Sequence, residues 1–110
     1  AFKGGAEISK RHGIVPTIGS RLIGQTHSAM AFFSYSFNRA DPEDMKNARD
    51  ALHETNLLAL ELGGIPWKAE LAGQKLILDK MDPNFKKLFK TIRDTLDPNH
   101  IMNPGNWEVE

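Results

Sequence analysis

The chain has 110 residues, 40% hydrophobic and 25% charged, the proportions of one small globular domain with a modest core. Fourteen Lys and Arg balance fourteen Asp and Glu, so no net field favours nucleic acid, and no apolar run is long enough to span a membrane. Cysteine is absent, which excludes a disulfide scaffold and thiolate metal sites and fits a reducing, cytoplasmic setting.

In chain order, Ala1-Phe2-Lys3-Gly4-Gly5-Ala6-Glu7-Ile8 already reads as helix interior with no signal-peptide pattern. The expectation is a segment cut from a longer protein; the alternative is a natural start that has lost its initiator Met. This first helix stops at Arg11-His12-Gly13, cations followed by glycine. Ile14 to Gly24 is apolar but broken by Pro16, Gly19 and Gly24, and reads as a short strand and a loop. Ser28 to Asn38 alternates as a strand. Ala29, Ala31, Phe33, Tyr35 and Phe37 form an apolar face expected to lie on helices. Met30, Phe32, Ser34 and Ser36 form the other face, expected to be partly covered by another domain or a ligand.

Asp41-Pro42-Glu43-Asp44 opens a long helix, with Asp41 as cap and Pro42 in the first turn. It runs to about Leu62 and ends at Gly63-Gly64. A shorter helix covers about Ala69 to Lys80. Asp82-Pro83 then opens a third, with Phe85, Leu88, Phe89, Ile92 and Leu96 as its apolar stripe and Asp97-Pro98 as its stop. The tail from Asn99 to Glu110 is irregular. The class is therefore α+β: an antiparallel sheet with flanking helices, half of a ferredoxin-like arrangement. Two strands are not a stable sheet alone, so either a second copy pairs with the chain as a homo-oligomer or the sheet belongs to a larger domain.

The four histidines, His12, His27, His53 and His100, have no metal-ligand spacing, and no metal site is expected. His12 and His53 read as surface residues on helices. His27, near Arg21 and Gln25, reads as a hydrogen-bonded strand-edge residue or as a functional one. Phosphate-cradling glycine loops and a Gly-x-Ser-x-Gly elbow are absent. Trp67-Lys68 sets a flat aromatic beside a cation in a loop between helices. Either the pair meets a ligand, or Trp67 packs beneath the loop and Lys68 is solvated.

The run Leu96-Asp97-Pro98-Asn99-His100-Ile101-Met102-Asn103-Pro104-Gly105-Asn106 resembles the closing signature of FAD-linked oxidases. There a helix ends in Asp-Pro-Asn, followed by Ile or Leu, then Asn-Pro-Gly or Ala-Pro-Gly and commonly a cation, where this chain has Asn106. Leu60-Glu61-Leu62-Gly63-Gly64 and Asn38-Arg39-Ala40-Asp41-Pro42-Glu43 also resemble the family, spreading the likeness over residues 20–107. The resemblance implies a flavoprotein whose N-terminal domain holds FAD. This chain would be the second half of the cap that covers the flavin and shapes the substrate pocket. Residues 1–96 would be cap, and residues 97–110 a tail returning towards the FAD domain.

The branch most similar is the phenol-oxidising one of vanillyl-alcohol oxidase and cresol methylhydroxylase, where an aromatic-Arg pair in the loop after the helix holds the phenolate. Trp67-Lys68 falls on that pair, with Lys keeping the charge and losing the bidentate fork. The resemblance implies hydride transfer from a small aromatic substrate to the flavin. It makes Trp67 and Lys68 substrate-binding residues, with Arg21, His27 and Tyr35 as further candidates, and places Asn103, Pro104 and Gly105 near the cofactor. Two alternatives stand beside it. One is a 2-hydroxy-acid dehydrogenase cap, whose His-x-Gly-Asp-Gly-Asn-x-His stretch matches here only at its first His, His27. The other is a non-catalytic α+β binding or dimerisation module.

Overall fold

The computed structural model describes residues 1–24 and 28–109. The chain divides into two compact units, Ala1–Gly64 and Ile65–Glu110. The α+β class expected from the sequence is the class the chain adopts.

The first unit runs α1 (Phe2–Arg11), β1 (Val15–Ile23), β2 (Ser28–Ser36) and α2 (Pro42–Glu61). The strands pair antiparallel from Val15 opposite Ser36 to Ile23 opposite Ser28. Cross-strand partners share a face. Pro16 with Tyr35 and Ile18 with Phe33 therefore point one way, and Thr17 with Ser34, Gly19 with Phe32 and Arg21 with Met30 point the other.

Helices α1 and α2 cover the first of these faces. Phe33 meets Phe2 with ring centroids 6.0 Å apart, and it lies so close to α1 that a Cβ on Gly5 would stand 2.1 Å from its Cε1. The Tyr35 hydroxyl bonds the Thr55 hydroxyl. Because Thr55 donates its own hydrogen to the Ala51 carbonyl at 2.8 Å, the phenol is the donor to Thr55. Ile8, Ile14, Ala48 and Ala51 complete this core. The cover reaches only part of the sheet, since Ala29 and Ala31, expected under helices, are exposed.

One expectation needs correction. Ile14 to Gly24 is not a short strand and a loop but holds one continuous nine-residue strand with both supposed breakers inside it. In a two-stranded ribbon each strand has a free edge, so the missing N–H of Pro16 is tolerated. Gly19 is required by its neighbour across the ladder: a Cβ there would lie 2.2 Å from Cζ of Phe32, whose ring covers that spot.

The long helix α2 starts as its sequence dictates. The Asp41 carboxylate accepts from the amides of Glu43 at 2.9 Å and Asp44 at 3.4 Å, and Pro42 occupies the first turn. Such a cap contributes about 1 kcal/mol.

The second unit holds α3 (Leu71–Lys80), α4 (Pro83–Leu96) and the tail. α3 begins two residues later than its pattern suggests because Glu70 caps it, accepting from the Gly73 amide at 3.1 Å. α4 repeats the Asp-Pro device, with Asp82 accepting from the amides of Asn84 and Phe85. α3 buries Gly73, Gln74, Ile77 and Leu78, whereas α4 buries no residue. Of its apolar stripe, Phe85, Leu88, Ile92 and Leu96 are at least 50% exposed and Phe89 is half-buried.

Candidate functional site

In the first unit, Arg21 and Tyr35 occupy opposite faces of the ribbon. Arg21 lies exposed on the face away from the helices, across from Met30 and near Phe32. Tyr35 lies on the helix-covered face and helps line a half-open groove of about 330 Å³ with Phe33, Phe37, Met45, Ala48, Arg49 and Leu52. His27 falls outside the described residues. His12 is not the solvated helix residue expected: its side chain is only 18% exposed, and its Nε2 lies 2.8 Å from Glu54 Oε1. Arg11 grips the other carboxylate oxygen of Glu54 at 2.5 Å. The hydrogen bond from His12 holds Glu54 below the ordinary glutamate range, helped by the Arg11 charge and opposed by burial. This cluster ties the end of α1 to the middle of α2. Among the described residues no group of three His, Asp or Glu is placed to hold a metal ion.

In the second unit, Trp67 and Lys68 stand before α3 in an exposed loop. Lys68 has a left-handed backbone, φ 55°, and its Nζ sits 5.3 Å above the centre of the Trp67 ring. The left-handed region is costly for a side chain this long and persists only where its surroundings hold it. Trp67 is 72% exposed, so it does not pack beneath the loop. An exposed cation–π contact of this kind is worth roughly 0.5–1 kcal/mol.

The tail is irregular in secondary structure but closely held. At the end of α4 the buried Asp97 carboxylate accepts from the backbone amides of Ile101 at 3.0 Å and Met102 at 2.8 Å. The Met102 amide, joined by the Ile101 amide and the charges of His100 and Arg93, holds Asp97 below the usual carboxylate range against the opposing effect of burial. Asn103 to Asn106 then form a turn closed by the Asn106 amide on the Asn103 carbonyl at 3.2 Å. Pro104 second and Gly105 third, the glycine at φ 82°, are the residues a type II turn requires.

Two side chains clasp the backbone just beyond the turn. Arg93 donates to the carbonyls of Asn106 at 2.8 Å and Trp107 at 2.7 Å. Gln74 accepts from the Trp107 amide at 2.9 Å and donates to Asn106 Oδ1 at 3.3 Å and to the Ala69 carbonyl at 2.9 Å. Neither Gln74 nor Arg93 carries a local sequence signal. Their partners lie 13 to 33 residues away along the tail, so only the fold reveals them.

The N-termini of α2, α3 and α4 are not open phosphate cradles. A helix N-terminus binds phosphate through free amides, yet those of α2, α3 and α4 are filled by Asp41, Glu70 and Asp82. Among the described residues no buried polar side-chain atom awaits a partner. The exposed charged groups among the predicted residues are Arg21 on the open sheet face and Lys68 over the Trp67 ring.

The chain belongs to the FAD-linked oxidases, as their C-terminal domain: the family described as FAD linked oxidases, C-terminal domain, matches residues 6–107. The family is one of flavin-dependent oxidoreductases, in agreement with the signature read in the tail. No curated protein and no solved structure matches the chain. No helix among the described residues is long and apolar enough to cross a membrane.

Proposed function

We propose that this chain caps the active site of an FAD-dependent oxidoreductase whose substrate is small and aromatic, with a phenolate or similar anion held at Trp67 and Lys68. The observation that carries the reading is the Lys68 ammonium held over the exposed Trp67 face at 5.3 Å. A flat ring can stack beside this pair while the ammonium meets its oxygen. A positive charge there favours the ionised phenol. Residues 1–96 form the substrate-covering part, and the tail from Asp97 turns Asn103, Pro104 and Gly105 towards an FAD-binding domain N-terminal to this chain. That domain holds FAD, because the helix N-termini of α2, α3 and α4 are already capped. The redox chemistry is the cofactor's; this chain orients the substrate and supplies charge. Arg21, beside Met30 and Phe32 on the open sheet face, is a second anion-binding candidate.

The test is Lys68→Met in the flavoprotein that carries this domain. Loss of a charge-assisted hydrogen bond worth about 1.5–3 kcal/mol lowers kcat/KM roughly ten- to a hundredfold. The melting temperature stays within a degree or two, because a solvated loop side chain contributes little to folding. Lys68→Arg restores most of the activity. Unchanged kinetics at unchanged stability would remove Lys68 from the site.

A further inference from the structure

In the second unit the Gln74 side chain bonds residues that flank both segments proposed for the site. Gln74 is buried on α3, and its carboxamide makes three hydrogen bonds. The Trp107 amide can only donate and the Ala69 carbonyl can only accept, so these two backbone partners fix the orientation of the group. Its Oε1 takes the Trp107 N–H at 2.9 Å, one Nε2 hydrogen goes to the Ala69 carbonyl at 2.9 Å, and the other meets Asn106 Oδ1 at 3.3 Å. Ala69 directly follows Lys68. Asn106 and Trp107 directly follow Gly105. Each segment also carries a side-chain-bearing residue with left-handed backbone next to its anchor, Lys68 at φ 55° and Trp107 itself at φ 52°. Such conformations need outside support, and Gln74 bonds the residue directly after the first and the amide of the second.

We propose that Gln74 is the positioning residue of this site: it holds the Trp67–Lys68 loop and the Asn103–Pro104–Gly105 turn in one register, so that a displacement of either is transmitted to the other. The proposal rests on the assignment of loop to substrate and turn to flavin side, while the link itself is independent of both. Two variants remove the donors alone or the whole amide. Gln74→Glu keeps the acceptor for the Trp107 amide but loses both donated bonds, the 2.9 Å one to the Ala69 carbonyl and the longer 3.3 Å one to Asn106 Oδ1, and sets a carboxylate oxygen against both. Gln74→Met loses the acceptor as well.

The chain has two tryptophans, Trp67 in the loop and Trp107 after the turn, so each segment carries its own reporter. In the isotope-labelled chain, Gln74→Glu should move the Trp67 indole resonance and leave the exchange protection of the Trp107 amide in place. Gln74→Met should move both indoles and lower that protection by about five- to thirtyfold. Movement of Trp107 alone in Gln74→Glu, or of neither residue, overturns the link. If Gln74→Met does not fold, Gln74→Glu decides. In the flavoprotein, Gln74→Glu should raise KM severalfold with kcat nearly unchanged, and Gln74→Met should alter both, together with the flavin absorbance. A generally loosened fold would instead lower the melting temperature of both variants without that split. Kinetic loss in Lys68→Met but none in either Gln74 variant overturns the positioning role alone. No loss in any of the three overturns the site assignment, and the resonance data still judge the link.

Discussion

Gly5→Ala puts a simple expectation about helices against a packing constraint. Within a helix, alanine is favoured over glycine by about 1 kcal/mol. At Gly5, however, the new Cβ would lie 2.1 Å from Cε1 of Phe33 and 2.7 Å from its Cδ1 and Cζ. Carbon atoms in contact sit at about 3.5–4.0 Å, so the ring must retreat by more than an ångström. The Phe2 ring, on the same helix, already sits with its centroid 6.0 Å from that of Phe33, which narrows the room for that retreat. Overpacking of this kind costs about 1–3 kcal/mol, and the balance is a loss of roughly 1 kcal/mol, or about 4–8 °C in melting temperature for a unit of this size. The neighbouring Gly4→Ala is the control: its Cβ would lie 2.7 Å from Leu58 Cδ2, the free end of a flexible side chain. Leu58 can rotate away, so Gly4→Ala should be neutral or stabilising. Thermal melts followed by circular dichroism compare the two, and adding Phe33→Leu to Gly5→Ala should recover part of the loss. Equal melting temperatures for the two alanine variants would refute the packing of Phe33 against α1.

The ion cluster and the tail give further expectations. Glu54 is held below its ordinary pKa, so its pairing stabilises the fold above that ordinary value and is lost as the pH falls through the lowered folded one; acid melts should show Glu54→Gln losing less stability than wild type over that interval. Asp97→Asn keeps one acceptor oxygen of the two now used, so hydrogen exchange should show faster opening at Ile101 or Met102 while the amides within α4 stay protected. Titration of FAD fluorescence with this chain alone should reveal no affinity tighter than about millimolar; micromolar binding would contradict the reading that FAD is held by another domain.

Much of the fold was legible because its signals are local. Asp41-Pro42 and Asp82-Pro83 announced two helices, and the structure finds both caps made by those carboxylates. The alternation of β2 was legible for the same reason. What the sequence hid depends on distant partners. Pro16 and Gly19 look like breaks until Tyr35 and Phe32 are seen opposite them. His12 looks like a surface residue until α2 brings Glu54 to it. In the site, the tail signature was legible as a family mark and Asp97 as a helix stop. The reason for the signature, a carboxylate holding two amides followed by a Pro-Gly turn, required the backbone. The pairing of Trp67 with Lys68 could be read from adjacency, whereas the clasp by Gln74 and Arg93 could not.

The measurement that bears most directly on the proposed function is the absorbance spectrum of the intact polypeptide that carries this domain, taken before and after adding a phenolic substrate without oxygen. Bound flavin is expected, with visible absorbance that bleaches on substrate addition and bleaches far more slowly in Lys68→Met. A polypeptide that purifies and reconstitutes without flavin, or a flavin that phenols leave oxidised while 2-hydroxy acids bleach it, would contradict it.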